Sequence, residues 1–152
     1  MPRPMSCFLT IDQVRRRQKT VTRRHVDSWL KLQQGDLLPL IEKGQGLKRG
    51  EKQVLITEVE VVSVWVEPLL DGLSPAEVER EGFGAVHPAE FAAFWAAAHG
   101  YGSLLRNERF RASPAPWLTP PPRRLAVIRR ALAGVKCRRI EWRYLDEVDI
   151  IA

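Results

Sequence analysis

The chain has 152 residues, 45% of them apolar and 28% charged, with a formal net charge of +6. These values allow one hydrophobic core and exclude a disordered polymer. No stretch approaches the roughly 18 apolar residues of a membrane span, and Met1-Pro2-Arg3-Pro4 lacks the apolar segment of a secretory signal, so a cytoplasmic location and no membrane partner are expected. Cys7 and Cys137 are too few for a disulfide framework, and His25, His87 and His99 are too scattered for a metal site. Reduced, mostly buried thiols are expected, with no metal and no cofactor.

In chain order, Met5 to Thr10 reads as a short strand, and Thr10 with Gln13 has the spacing of a capping box, which predicts a helix over 11–17 carrying Arg15, Arg16 and Arg17. Thr20-Val21-Thr22 returns to β-branched residues. Gly35-Asp36 makes a turn before Leu37-Leu38-Pro39-Leu40-Ile41, where Pro39 argues for an edge position. The strongest β signal runs from Val54 to Val66, long enough to be one bent central strand or two strands broken by a bulge.

Ser74-Pro75-Ala76-Glu77 joins an N-cap Ser, a first-turn Pro and a third-position Glu, a specific helix start, and Gly82 stops that helix. His87-Pro88 opens another in which Phe91, Phe94, Trp95 and Ala98 form one stripe, read as core, before Gly100. Residues 101–121 are rich in Gly, Ser and Pro and read as an irregular excursion. A basic amphipathic helix is predicted over 123–133, and Arg139 to Leu145 alternates as a half-buried closing strand. The sum is α+β: five or so strands, two or three short helices, and terminal strand segments able to close a barrel.

Charge is blocked along the chain. Residues 1–31 hold eight basic against two acidic residues, 32–100 hold five against eleven, and 101–145 hold eleven against two. Two basic blocks distant in sequence fit an electropositive surface for nucleic acid, or a merely solvated one.

Lys19-Thr20-Val21-Thr22-Arg23-Arg24 resembles the G-x-K-x-x-T-x-R pattern of ASCH domains, small RNA-associated β-barrels of the PUA-like superfamily. Trp29-Leu30, Gly35-Asp36-Leu37, Glu58-Val59, Glu81-Gly82-Phe83 and Arg139 to Leu145 resemble the same family in its order. The likeness covers about 15–100 and 136–146. It departs at Arg17, where the pattern has Gly, and in a longer, more basic insert over about 101–135.

The resemblance implies one domain over 1–152, a PUA-like β-barrel of about five to six strands with flanking short helices, and an RNA or modified-nucleoside partner. In one branch it implies hydrolysis of N4-acetylcytidine to cytidine and acetate by a Lys, a Thr and a Glu, which by position are Lys19, Thr22 and Glu81. Candidate ligand or RNA contacts are Arg17, Arg23, Arg24, Trp29 and Arg143. The alternatives are a non-catalytic RNA-binding module or a metal-independent ribonuclease.

The residue types suit amide hydrolysis, which needs a nucleophile or activated water, an oxyanion stabiliser and a proton for the leaving amine. A lysine acting as base at neutral pH needs its pKa lowered by roughly three units. An arginine about 6 Å away supplies about two of these at an effective dielectric near 20, unless Glu81 cancels it. Glu81 at a helix C-terminus sits at the negative end of the dipole, which suits a general acid, whereas its composition alone reads as a solvated acidic helix. In a regular strand Lys19 and Thr22 point to opposite faces, so they converge only where 18–22 is a turn or junction. Glu58 and Glu60 as a carboxylate pair, and Trp117 as a base-stacking platform, are weaker candidates.

Overall fold

The computed structural model describes residues 2–107 and 119–148. Five strands, β1 (Met5–Ser6), β2 (Val21–Arg24), β3 (Leu37–Ile41), β4 (Leu55–Pro68) and β5 (Lys136–Tyr144), form one sheet in the order β1-β3-β4-β5-β2. All pairs are antiparallel except β1 with β3. The long apolar run is therefore a single central strand, and a register shift between Val61 and Ser63 bends it. Pro39 lies on a strand whose far neighbour, β1, pairs only Leu40 and Ile41, so its missing N–H is tolerated.

The sheet curls into a half-barrel. Among the described residues its edge strands β1 and β2 do not pair with each other, so the closed barrel expected from the sequence is not what is observed. The physical reason is that β1 is two residues long, after which the chain turns into a 3₁₀ segment (Phe8–Thr10) and α1 (Ile11–Arg15). Val14 of α1 is fully buried in the barrel-side core with Met5, Leu38, Leu40, Val59, Val61, Ile140, Trp142 and Tyr144. The gap between the edges is bridged by a side chain: Arg24 Nη2 of β2 donates to the Ser6 carbonyl of β1 at 2.8 Å.

A second core lies among helices α2 (Leu69–Gly72), α3 (Pro75–Arg80), α4 (Pro88–Ala98), α5 (Gly102–Asn107) and α6 (Pro122–Leu132), which pack Val78, Phe91, Trp95, Leu105, Ile128 and Leu132 together. α7 (Leu145–Val148) follows β5. Helices are more numerous than the two or three expected: α5 forms inside the segment read as irregular, and the short α2 and α7 follow directly on β4 and β5. Residues 108–118, with Trp117, lie outside the described residues.

Local signals set the element ends well. The Ser74 hydroxyl accepts from the Glu77 N–H at 3.1 Å, and Gly82, at φ +95°, ends α3. At α4 the cap is His87, whose Nδ1 accepts from the Ala89 N–H at 3.0 Å. Thr10 does precede α1, but its side chain makes no capping bond, and α1 ends two residues earlier than predicted. Arg17 has φ +63°, so the position where the family pattern has Gly does adopt the left-handed conformation that glycine favours.

Candidate functional site

A cavity of about 230 Å³ opens where the half-barrel is not closed, between β1, β2, the turn after α3, and α4. Lys19, Thr22 and Glu81 line it together, and all three are buried. Lys19 precedes β2 rather than lying in it, so the strand alternation that would separate it from Thr22 does not apply.

The closing strand fixes this junction. Trp142 Nε1 donates to the Lys19 carbonyl at 3.1 Å, the Tyr144 hydroxyl donates to the same oxygen, and the Trp142 N–H donates to the Thr20 carbonyl at 3.0 Å. On the other side, the Thr20 N–H donates to the Arg80 carbonyl at 2.9 Å, which ties the junction to the end of α3 that carries Glu81.

Lys19 Nζ donates to the Glu81 backbone carbonyl at 2.6 Å, while the Glu81 carboxylate is 3.5 Å away. A neutral carbonyl as the nearer partner compensates a buried ammonium only partly. Burial therefore pulls the Lys19 pKa below the ordinary lysine range, with Arg24 adding to the effect and Glu81 and Cys7 opposing it. Glu81 is not on a solvated face. It is 2% exposed, and its second carboxylate oxygen is 3.3 Å from Arg23 Nη1.

Arg23 is the scaffold of the acidic side. Its guanidinium is fully buried and donates to Glu67 at 2.9 Å, to Glu77 at 3.3 Å and to the Gly72 carbonyl at 3.1 Å. So committed, it orients Glu81 instead of gripping a ligand. Arg24 differs: Thr22 and Arg24 are two residues apart on one strand and so share a face. Arg24 has only the Ser6 carbonyl as hydrogen-bond partner among the described residues, and its buried Nε has none. Burial, with Arg3 adding and Cys7 and Glu81 opposing, lowers its pKa. An uncompensated guanidinium in a cavity wall is a receptor for a carbonyl oxygen or an anion.

The remaining wall is apolar and aromatic. Phe91 and Trp95 are buried in it, whereas Phe94 and Ala98 are exposed at its mouth with Phe8 and Leu9. Of the stripe read as core on α4, Phe91 and Trp95 belong to the helical core with Ala92, Ala93 and Ala96 and at the same time wall the cavity, whereas Phe94 and Ala98 lie outside that core. Trp95 is anchored by its Nε1, which donates to the Arg23 carbonyl at 2.9 Å.

The other proposed ligand contacts lie elsewhere. Arg17 stacks over Tyr144 at 4.8 Å and bonds Asp146 at 3.1 Å. Arg143 is paired with Glu60 at 2.7 Å, which also accounts for one of the two strand carboxylates. Trp29, left-handed at φ +59°, lies under the Arg3 guanidinium in a separate depression of about 570 Å³. Sequence reasoning missed Cys7 and His99 as cavity residues. Only the spacing of His99 from Trp95, four residues along one helix face, hinted at the latter.

No protein-family model and no curated protein matches the chain. Among solved structures it is similar in fold to protein EF3133 from Enterococcus faecalis V583, described under the family-model DUF984, with 12% sequence identity, a TM-score of 0.50, and coverage of 95% of this chain and 82% of that one. At that identity the likeness concerns fold alone.

Proposed function

We propose that the cavity hydrolyses the amide of an acylated nucleoside of the N4-acetylcytidine type. The observation that carries the reading is the convergence of Lys19, Thr22 and Glu81 in one small cavity beside an Arg24 that has no acidic hydrogen-bond partner among the described residues. At about 230 Å³ the space is smaller than the roughly 300–1,000 Å³ of sites for drug-sized ligands, which suits one substituted heterocycle. The sequence resemblance to ASCH domains points to the same three residues.

The chemistry then runs as follows. Neutral Lys19 takes the proton of the Thr22 hydroxyl, and Thr22 Oγ attacks the acyl carbon. Arg24 stabilises the oxyanion, the C–N bond breaks, and the Lys19 ammonium returns its proton to the leaving exocyclic amine. Water, deprotonated by Lys19, attacks the Thr22 ester. The Thr22 oxygen leaves with that proton, and acetate departs. The lowered Lys19 pKa supports the basic role. Glu81, held between Lys19 and Arg23, serves better as the counter-charge for the transient ammonium than as the general acid that its helix-end position suggested.

Incubation with N4-acetylcytidine and chromatographic detection of cytidine tests the reading. Lys19→Met and Thr22→Val each lower turnover by about 10²- to 10⁴-fold while the far-ultraviolet dichroism stays native. Absence of cytidine at high enzyme concentration, or full turnover by Lys19→Met, sinks it.

A further inference from the structure

His99 lies at the C-terminal end of α4 and lines the cavity, yet the chemistry above makes no use of it. Its ring is stacked on Trp95, with centroids 4.2 Å apart and planes 14° from parallel. Nδ1 is 2.8 Å from the Trp95 carbonyl oxygen. A carbonyl oxygen only accepts, so Nδ1 carries the hydrogen and, in the neutral ring, Nε2 carries the lone pair. No described residue hydrogen-bonds Nε2. The imidazole is thus held in one tautomer and one orientation, with an unused acceptor at the cavity.

The surroundings keep it an acceptor. Arg24 at the end of β2 and His25 just after it act on it as like charges, and Tyr101 packs beside Trp95 while bonding His25 at 3.2 Å. Burial, reinforced by Arg24 and His25 and opposed by the Trp95 carbonyl, pulls the His99 pKa below the ordinary imidazole range. Among the described residues no carboxylate acts on it.

Depth assigns the part of the ligand it meets. The Lys19 and Glu81 side chains are 4% and 3% exposed, whereas His99 is only half-buried and next to exposed Ala98. An acyl group placed at Lys19 leaves the sugar of a nucleoside toward the mouth, where a neutral acceptor matches a hydroxyl donor. We propose that His99 Nε2 accepts a hydrogen bond from a ribose hydroxyl, so that the site selects nucleosides over free bases. This rests on the acylated-nucleoside reading for the orientation of the ligand.

The test compares N4-acetylcytidine with N4-acetylcytosine, in wild type and in His99→Phe, a variant that keeps a ring on Trp95. The kcat/KM preference for the riboside falls about three- to ten-fold in His99→Phe, the size expected for one neutral hydrogen bond. In wild type the same preference holds from pH 8 down to 6.5 and declines only below it, as the lowered His99 pKa is approached, because imidazolium has no lone pair to offer, and in His99→Phe it is flat. An unchanged preference in the variant, or a wild-type preference already lost above pH 6.5, overturns the proposal. Should wild type hydrolyse neither compound, calorimetric binding of cytidine against cytosine gives the same comparison. A His99-dependent preference there upholds the sugar contact while the hydrolase reading fails, and no preference ends both.

Discussion

Residue 19 is held from every side: its carbonyl by Trp142 and Tyr144, its ammonium by the Glu81 carbonyl, and its neighbour Thr20 by Arg80. Such fixation gives a single side chain a defined position at an irregular stretch of backbone, where strand geometry alone would not. The residue types were legible in the sequence, and so was the need for a junction at 18–22. The partners were not, because Trp142 and Tyr144 lie more than a hundred residues away. The thiols illustrate burial outweighing nearby cations. Burial pushes the Cys137 pKa up to about 12, against Arg23, and raises that of Cys7 against Lys19 and Arg24. Neither thiol then reacts with a disulfide reagent at pH 8 in the native protein, and labelling followed by mass spectrometry yields modification only at the rate of unfolding. Rapid native labelling of Cys137 would contradict its burial.

At the scale of elements, α3 delivers Glu81. Ser74 begins the helix, Pro75 occupies its first position, and Gly82 turns the chain away immediately after the carboxylate. A Cβ on Gly82 would lie 3.2 Å from Thr10 Cγ2 and Gln13 Cβ in a backbone conformation that L-residues avoid. Gly82→Ala therefore costs about 1–3 kcal/mol in urea unfolding and, by displacing Glu81, also lowers kcat. Ser74→Ala costs about 1 kcal/mol through the lost cap and leaves the geometry of residue 81 in place, so its kcat stays within about two-fold of wild type. Both element ends could be read from composition, because caps and glycine stops are local. The role of α4 could not. Its Phe91, Phe94, Trp95 and Ala98 stripe has helical periodicity whether it meets a core or a cavity, and only the open side of the half-barrel distinguishes the two.

At the scale of the molecule, part of the blocked charge that suggested a nucleic-acid surface is taken up by internal ion pairs. Arg15 pairs with Glu42, Arg17 with Asp146, Arg23 with three glutamates, Arg139 with Glu77 and Glu141, and Arg143 with Glu60. Turnover of a free nucleoside then changes less than about two-fold between roughly 50 and 500 mM salt, since the site is buried and its ligand uncharged. A steep salt dependence would instead indicate phosphate contacts.

The same network sets the acid response. Burial alone would raise the pKa of Glu77, but the hydrogen bond and charge of Arg139, with Arg23 and Arg80, outweigh it and hold the carboxyl below its ordinary 4.5. A depressed folded-state pKa contributes stability above 4.5 that is lost as pH falls through the folded value. The urea midpoint thus drops below about pH 4.5, and Glu77→Gln, less stable at pH 7, shows a shallower acid slope. Equal slopes in the two proteins would exclude Glu77 as the titrating group.

The sequence by itself determined the local features: the capped helix before Glu81, the strong strand signal over 54–66, and the Lys-x-x-Thr spacing, each set within a few residues of the chain. Tertiary structure alone decided which charges meet. It left the half-barrel unclosed, turned Arg23 inward to the glutamates, bonded Arg24 to a backbone carbonyl, and set His99 beside the cavity. Those outcomes depend on which strand edges pair and on how burial weighs desolvation against each ion pair, quantities that arise between residues far apart in the chain.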